Sequence, residues 1–123
     1  MSGTRHAADF GAAYADAFSS GERDRVRGMY EPAATLQGRD GRRHDGIDAI
    51  AAALAPVLGR RLRMKTSARF LVEQGDLALT RYDYGLFDVH GVIVFSASSS
   101  ELLRRSAGGF WRLAIDLPSG SDA

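Results

Sequence analysis

Cysteine is absent from the 123 residues, which removes disulfides, thiolate metal sites and a cysteine nucleophile in one step. The absence also fits a reducing compartment. No apolar run approaches the ~20 residues that span a bilayer, and positions 1–9 lack the apolar segment of a secretory signal. A soluble, cytoplasmic chain with no membrane partner is expected. A one-signed field is missing as well, because 16 basic and 15 acidic residues leave a net charge of +1. Nucleic-acid binders gather a basic excess on one face, so no nucleic-acid partner is expected. The densest basic run, Arg60, Arg61, Arg63 and Lys65, reads as the solvated face of a strand. Phosphate-cradling Gly-x-Gly loops are absent, so no nucleotide cofactor is implied. His6, His44 and His90 have no metal-ligand spacing, and no metal is expected. His44 falls on the second of two short strands expected near it.

What is present is ordinary for one domain: 45% hydrophobic and 25% charged residues. A chain of this length buries enough surface to fold without staples. No repeat or linker divides it, so positions 1–123 read as a single domain with its core over about 5–118.

Phe10, Tyr14 and Phe18 recur every fourth residue, with Ala13 and Ala17 beside them, which predicts a helix over 4–19 with one aromatic stripe. A shorter helix is expected over 22–30, with Val26, Met29 and Tyr30 on its apolar face and Glu31-Pro32 as its end. Short strands are expected over 34–37 and 42–44. A third helix follows from Gly46 to Gly59, its apolar side formed by Ile47, Ile50, Leu54, Val57 and Leu58. Pro56 should kink it or end it early. After Gly59 the period changes to two, and strands are expected over 62–73, 77–88, 92–105 and 110–117, joined by hairpin turns. Positions 119–123 should form a loose tail. Helices first and strands afterwards indicate an α+β domain whose antiparallel sheet is covered by helices on one face.

The order and spacing of these pieces resembles the nuclear-transport-factor-two-like superfamily, also called SnoaL-like or ketosteroid-isomerase-like. The resemblance is carried by AAYADAFSSGERDRVRGMY, EPAATLQGRDGRRHDGIDAIAAAL and SSSELLRRSAGGFWRLAIDLP, and it covers about positions 8–118. It implies a curved antiparallel sheet forming a cone over the N-terminal helices, an enclosed small-molecule site without a cofactor, and homodimers formed through the outer face of the sheet. Phe10, Phe18, Met29, Tyr30, Leu54, Leu58, Ser98 and Trp111 are then the expected substrate-binding residues. Strict alternation on the last strand sets Trp111, Leu113 and Ile115 against Phe110, Arg112, Ala114 and Asp116. Apolar residues on both faces agree with a two-fold partner.

Two branches of the superfamily carry chemistry that these residues can be compared with. The ketosteroid-isomerase-like branch uses an Asp base, with a Tyr and a protonated Asp as oxyanion donors. Tyr14 stands where that tyrosine belongs, but the base position falls near Gly38 and the second donor near Ser99 or Ser100. Proton abstraction of that specific kind therefore lacks its base. The limonene-epoxide-hydrolase-like branch uses an Arg-x-Asp on one strand and an Asp on the last. Arg81, Asp83 and Asp116 match those positions once one residue is added in the Ala107-Gly108-Gly109 turn. Arg81 and Asp83 are two apart and share a face, and an arginine between two carboxyls can split their protonation states. The water-holding positions of that branch fall near Leu36 and Gly38, whose side chains cannot hold a water. Two readings stand. One is a cofactor-independent enzyme converting an apolar oxygenated molecule by epoxide hydrolysis, isomerisation or cyclisation, with Asp83, Arg81, Asp116 and Tyr14 as catalytic residues. The other is a non-catalytic ligand-binding or dimerisation module on the same fold.

Overall fold

The structure, a computed structural model, describes residues 3–119; of the expected loose tail, positions 120–123 lie outside them. A single 3-10 turn over Ala7–Asp9 leads into α1 (Phe10–Ser20), whose Phe10, Tyr14 and Phe18 rings follow one another at centroid separations of 6.1 and 6.4 Å. Gly21 ends the helix in the left-handed region (φ 71°), donating its N–H to the Phe18 carbonyl, a conformation that favours glycine. The second helix, α2 (Arg23–Arg27), is shorter than expected. Gly28 caps it, and Tyr30 opens the strand β1 (Tyr30–Gln37) instead of closing a helix face. The strand's pairing with the far end of the chain overrides the local helical pattern here.

β2 (Arg43–Asp45) folds back on β1, and α3 (Ile47–Leu58) follows. The early end expected at Pro56 does not occur. Pro56 lies in the last turn, and Gly59 is the cap. Then come β3 (Arg63–Gln74), β4 (Leu77–Phe87), β5 (Ile93–Arg105) and β6 (Trp111–Leu117), close to the expected limits. Together they form one sheet in the order β2-β1-β6-β5-β4-β3. Its neighbours are antiparallel except at β1–β6, which run parallel. β1 reaches β6 across most of the chain and not through a hairpin, so nothing local forces antiparallel pairing there.

Among the antiparallel pairings three bulges break the alternation, one of them in β5, where Leu86 pairs with Phe95 and Phe87 with Ile93, so that Val94 is extra. In β6, Leu113 pairs with Leu103 and Ile115 with Leu102, so Ala114 is an extra residue. In β3, Ala68 pairs with Tyr82 and Phe70 with Arg81, so Arg69 is extra. An extra residue bends the strand and shifts all later side chains to the other face. The helices cover the concave side of the sheet. Phe10, Tyr30, Ile50, Leu103, Trp111 and Leu113 are the large side chains sealed there. On the opposite side Leu79, Leu102 and Ile115 fall in register across β4, β5 and β6, with Phe70, Val72 and Leu77 exposed on the same face.

Candidate functional site

Between α1, α3 and the concave face lies a cavity of ≈ 360 Å³, within the range of small-molecule sites. α1 supplies Phe10, Tyr14 and Phe18, and α3 supplies Leu54 and Val57. The two-residue period of β4 turns Tyr82, Tyr84 and Leu86 inward, and that of β5 turns Ser99 and Glu101 inward. On β6 the Ala114 bulge lets Leu113 and Asp116 both face the cavity. Strict alternation had set them on opposite faces. Each of the four tyrosines of the chain takes part: Tyr14, Tyr82 and Tyr84 line the cavity, and Tyr30 stands behind Tyr14.

The polar groups gather on one wall. Tyr30 Oη donates to Asp116 Oδ2 at 2.7 Å and lies 2.8 Å from Tyr14 Oη. Tyr30 has one proton, and an ionised Asp116 takes it. Tyr14 must then donate to Tyr30, which leaves the Tyr14 oxygen as an acceptor toward the cavity. If Asp116 is protonated, the chain can reverse, and Tyr14 can donate to a ligand. Asp116 therefore sets the polarity of Tyr14 through Tyr30.

Glu101 is the cross-strand neighbour of Asp116. Thr80 Oγ1 donates to Glu101 Oε1 at 2.8 Å, and Ser99, on the same wall, favours the carboxylate form. Burial pushes the Glu101 carboxyl up to about 8, with the nearby Asp116 charge adding to the effect. Burial also lifts Asp116, to about 6, against the lowering effect of the Tyr30 hydrogen bond. The order has a physical cause: Tyr30 stabilises the Asp116 anion, whereas ionising Glu101 puts a second negative charge beside the first. Near neutral pH the pair holds one proton, mostly on Glu101. Burial raises Tyr14 well above the ordinary phenol range and lifts Tyr82 and Tyr84 to about 12. Tyr84 Oη donates to the Pro118 carbonyl at 2.8 Å. Tyr82 Oη is buried without a hydrogen-bond partner among the described residues. Thr80 lies near it but directs its hydroxyl proton to Glu101.

The expected grouping of Arg81, Asp83 and Asp116 does not form. Arg81 and Asp83 alternate with the inward tyrosines and therefore lie on the outer face of β4. There Asp83 accepts from Ser98 Oγ at 2.6 Å and from Arg69 Nη1 at 3.2 Å, and Arg81 Nη1 lies 3.3 Å from Ser100 Oγ. Ser98 is outside the cavity for the same reason. Of the other expected lining residues, Phe10, Phe18, Leu54 and Tyr14 face the cavity. Met29, Leu58 and Trp111 are packed in the core without lining it, and Tyr30 reaches it only through its hydroxyl link to Tyr14. His44 borders a separate groove with Arg39, Arg42 and Pro56. Glu101 was missed. In β5 only Ser99, Glu101 and Leu103 are buried, and that choice of face is set by pairing with β4 and β6, so no local pattern singles out Glu101. Among the described residues no group of His, Asp and Glu is arranged to hold a metal, and no helix is long and apolar enough to cross a membrane.

No protein-family model and no curated protein matches the chain. Solved structures do. A Nostoc punctiforme PCC 73102 protein of unknown function with a cystatin-like fold superposes with a TM-score of 0.78 at 17% identity, over 93% of this chain and 90% of that one. A Thiobacillus denitrificans ATCC 25259 protein, provisionally assigned as a calcium/calmodulin-dependent protein kinase type II association domain, gives 0.77 at 18%, over 90% and 91%. A ketosteroid isomerase-like protein from Erwinia carotovora atroseptica SCRI1043 gives 0.71 at 24%, over 89% of each. The chain therefore has the nuclear-transport-factor-two-like, cystatin-like α+β fold that its sequence resembles, and at these identities the likeness establishes the fold alone.

Proposed function

We propose that the cavity binds an apolar, oxygen-bearing small molecule and converts it without a cofactor, using Glu101 as general acid and Asp116 as general base. The observation that carries this reading is the position of two buried carboxyls, Glu101 and Asp116, as cross-strand neighbours on one cavity wall; burial there raises both, to about 8 and about 6. Groups on either side of neutrality are suited to opposite proton tasks at the same pH. The cavity lining is mostly aromatic and aliphatic, with Ser99, Glu101 and Asp116 among its few polar groups, which suits a ligand that is apolar but carries an oxygen. In epoxide opening, Glu101 gives its proton to the oxygen as the C–O bond breaks. Asp116 takes a proton from the attacking water or hydroxyl, or in an isomerisation from carbon. Tyr14 and Tyr30 can relay that proton.

The test is product formation from a panel of apolar epoxides and ketones. Asp116→Asn should lower turnover by about 100-fold or more. Tyr30→Phe, which cuts the relay but spares both carboxyls, should cost less. The pH profile should be a bell with limbs near 6 and 8. Ligand-induced thermal stabilisation with no product from any panel member would favour the non-catalytic binding module. One observation favours that second reading: Leu36 is buried in the core and Gly38 borders the outer groove, so neither presents a water-holding group to the cavity.

A second copy of the chain fits the outer face, where Leu79, Leu102 and Ile115 form a row across three strands. A two-fold contact would cover this apolar row with itself. Sedimentation should report a dimer for the wild type and a monomer for Leu79→Arg. A wild-type monomer at all concentrations would end the dimer reading.

A further inference from the structure

The hairpin joining β4 to β5 carries an unusual tip. Turn residues are commonly polar or glycine, yet Val89 is 85% exposed, Val92 57% and Ile93 53%. Val94 and Phe95 continue the exposed apolar surface, and both also line the cavity, together with Arg60. The tip is thus the apolar rim of the cavity mouth. Basic residues flank it. Arg63 pairs in register with Phe87 and Lys65 with Gly85. Both alternate with the cavity-lining Met64 and Thr66 and so project from the outer face beside the tip. There the Lys65 ammonium lies 5.1 Å from the Phe87 ring centre, whereas Arg60 stands on the cavity side. Arg60 and Arg61 immediately precede that strand. Among the described residues no carboxylate pairs with Arg60, Arg61, Arg63 or Lys65, whereas Arg69, Arg104 and Arg105, also on the sheet, are each held by one. The acid of the turn, Asp88, is occupied by the backbone N–H groups of His90 and Val92 at 2.9 and 3.0 Å.

We propose that this hairpin tip and its basic flank dock the chain on an anionic lipid surface, with the cavity mouth turned toward the bilayer. Apolar side chains at a turn, flanked by cations that no carboxylate neutralises, match the two layers of such a surface: acyl chains below, anionic headgroups above. A second copy of this chain matches less well. A two-fold contact centred on the tip would set the like charges of the two basic flanks near one another. The run Arg60–Lys65, expected from sequence to be a solvated strand face, then acquires a partner. Docking at the mouth also gives an apolar ligand a route that avoids water. That last point rests on the proposed ligand class, whereas the docking itself does not.

The test is co-sedimentation of the full chain with phosphatidylcholine vesicles, with and without phosphatidylglycerol. Binding should require phosphatidylglycerol and weaken as salt is raised. Val92→Asp should weaken it at least about tenfold, and Arg63→Glu with Lys65→Glu by a similar factor. These side chains are exposed strand or turn positions, and circular dichroism should report unchanged folding. Failure to sediment with anionic vesicles would overturn the proposal. So would equal binding to both vesicle types, or loss of self-association in Val92→Asp with vesicle binding intact. Turnover of water-soluble panel members is measured without vesicles, so the catalytic reading stands or falls separately.

Discussion

Glu101→Gln should make the protein more stable and inactive, and the gain in stability should widen as the pH is raised from about 5 to about 9. The folded-state value of Glu101 is lifted from an ordinary 4.5 to about 8. Between those two values the folded chain holds a proton that the unfolded chain has released, so wild-type stability falls as pH rises. Above about 8 both states are ionised, and the full penalty of the buried charge is present. A tenfold difference in proton affinity between the folded and unfolded chain is worth about 1.4 kcal/mol, so the gain should reach a few kcal/mol at alkaline pH. Asp116 contributes in the same direction between 3.8 and about 6, and the variant keeps that part. Glutamine can still accept the Thr80 hydrogen bond, so the wall stays satisfied. It has no proton to give, so turnover is lost. Thermal unfolding of both proteins across this pH range checks the prediction. Parallel curves would mean that Glu101 is not held protonated by the fold.

The second large effect lies on α1. A Cβ at Gly11 would sit 2.6 Å from Cε1 of Tyr82, 3.0 Å from Cζ and 3.1 Å from Cδ1. Tyr82 is buried, and its ring is the wall of the cavity at this point. Gly11→Ala must therefore push helix from sheet or turn the ring into the cavity. Overpacking of this kind costs about 1–3 kcal/mol, read as a lower urea midpoint with an unchanged slope. Ligand binding should fall as well, because the displaced ring occupies ligand space. Removing the ring should restore the helix contact: Gly11→Ala with Tyr82→Leu should be less destabilised than the sum of the single changes by about 1 kcal/mol. Additive losses would show that the close approach of Gly11 and Tyr82 does not limit the packing.

The aromatic stripe was legible because a helix repeats every fourth residue, whatever it packs against. Most of the strand limits were legible because period two survives burial on either side. The site was not legible in the same way. Asp116 reached the cavity through a bulge at Ala114, and one extra residue cannot be seen in an alternating pattern without its partner strand. Arg81 and Asp83 do share a face, as their spacing required, but spacing does not say which face looks inward. Tyr82 and Tyr84 decide that by filling the concave side. Tyr30 read as part of a helix because the pull of its parallel partner, β6, comes from the other end of the chain.

The sequence by itself determined the order of the helices and the long strands, the lack of thiol chemistry and the ridge of Phe10, Tyr14 and Phe18, since each depends on neighbours within a few positions. Only the tertiary structure decided that Glu101 and Asp116 are adjacent, that Tyr30 links Asp116 to Tyr14, and that the exposed hairpin tip stands at the cavity mouth. Those facts depend on strand register and on the direction of the sheet's curvature, which are set by contacts between distant segments.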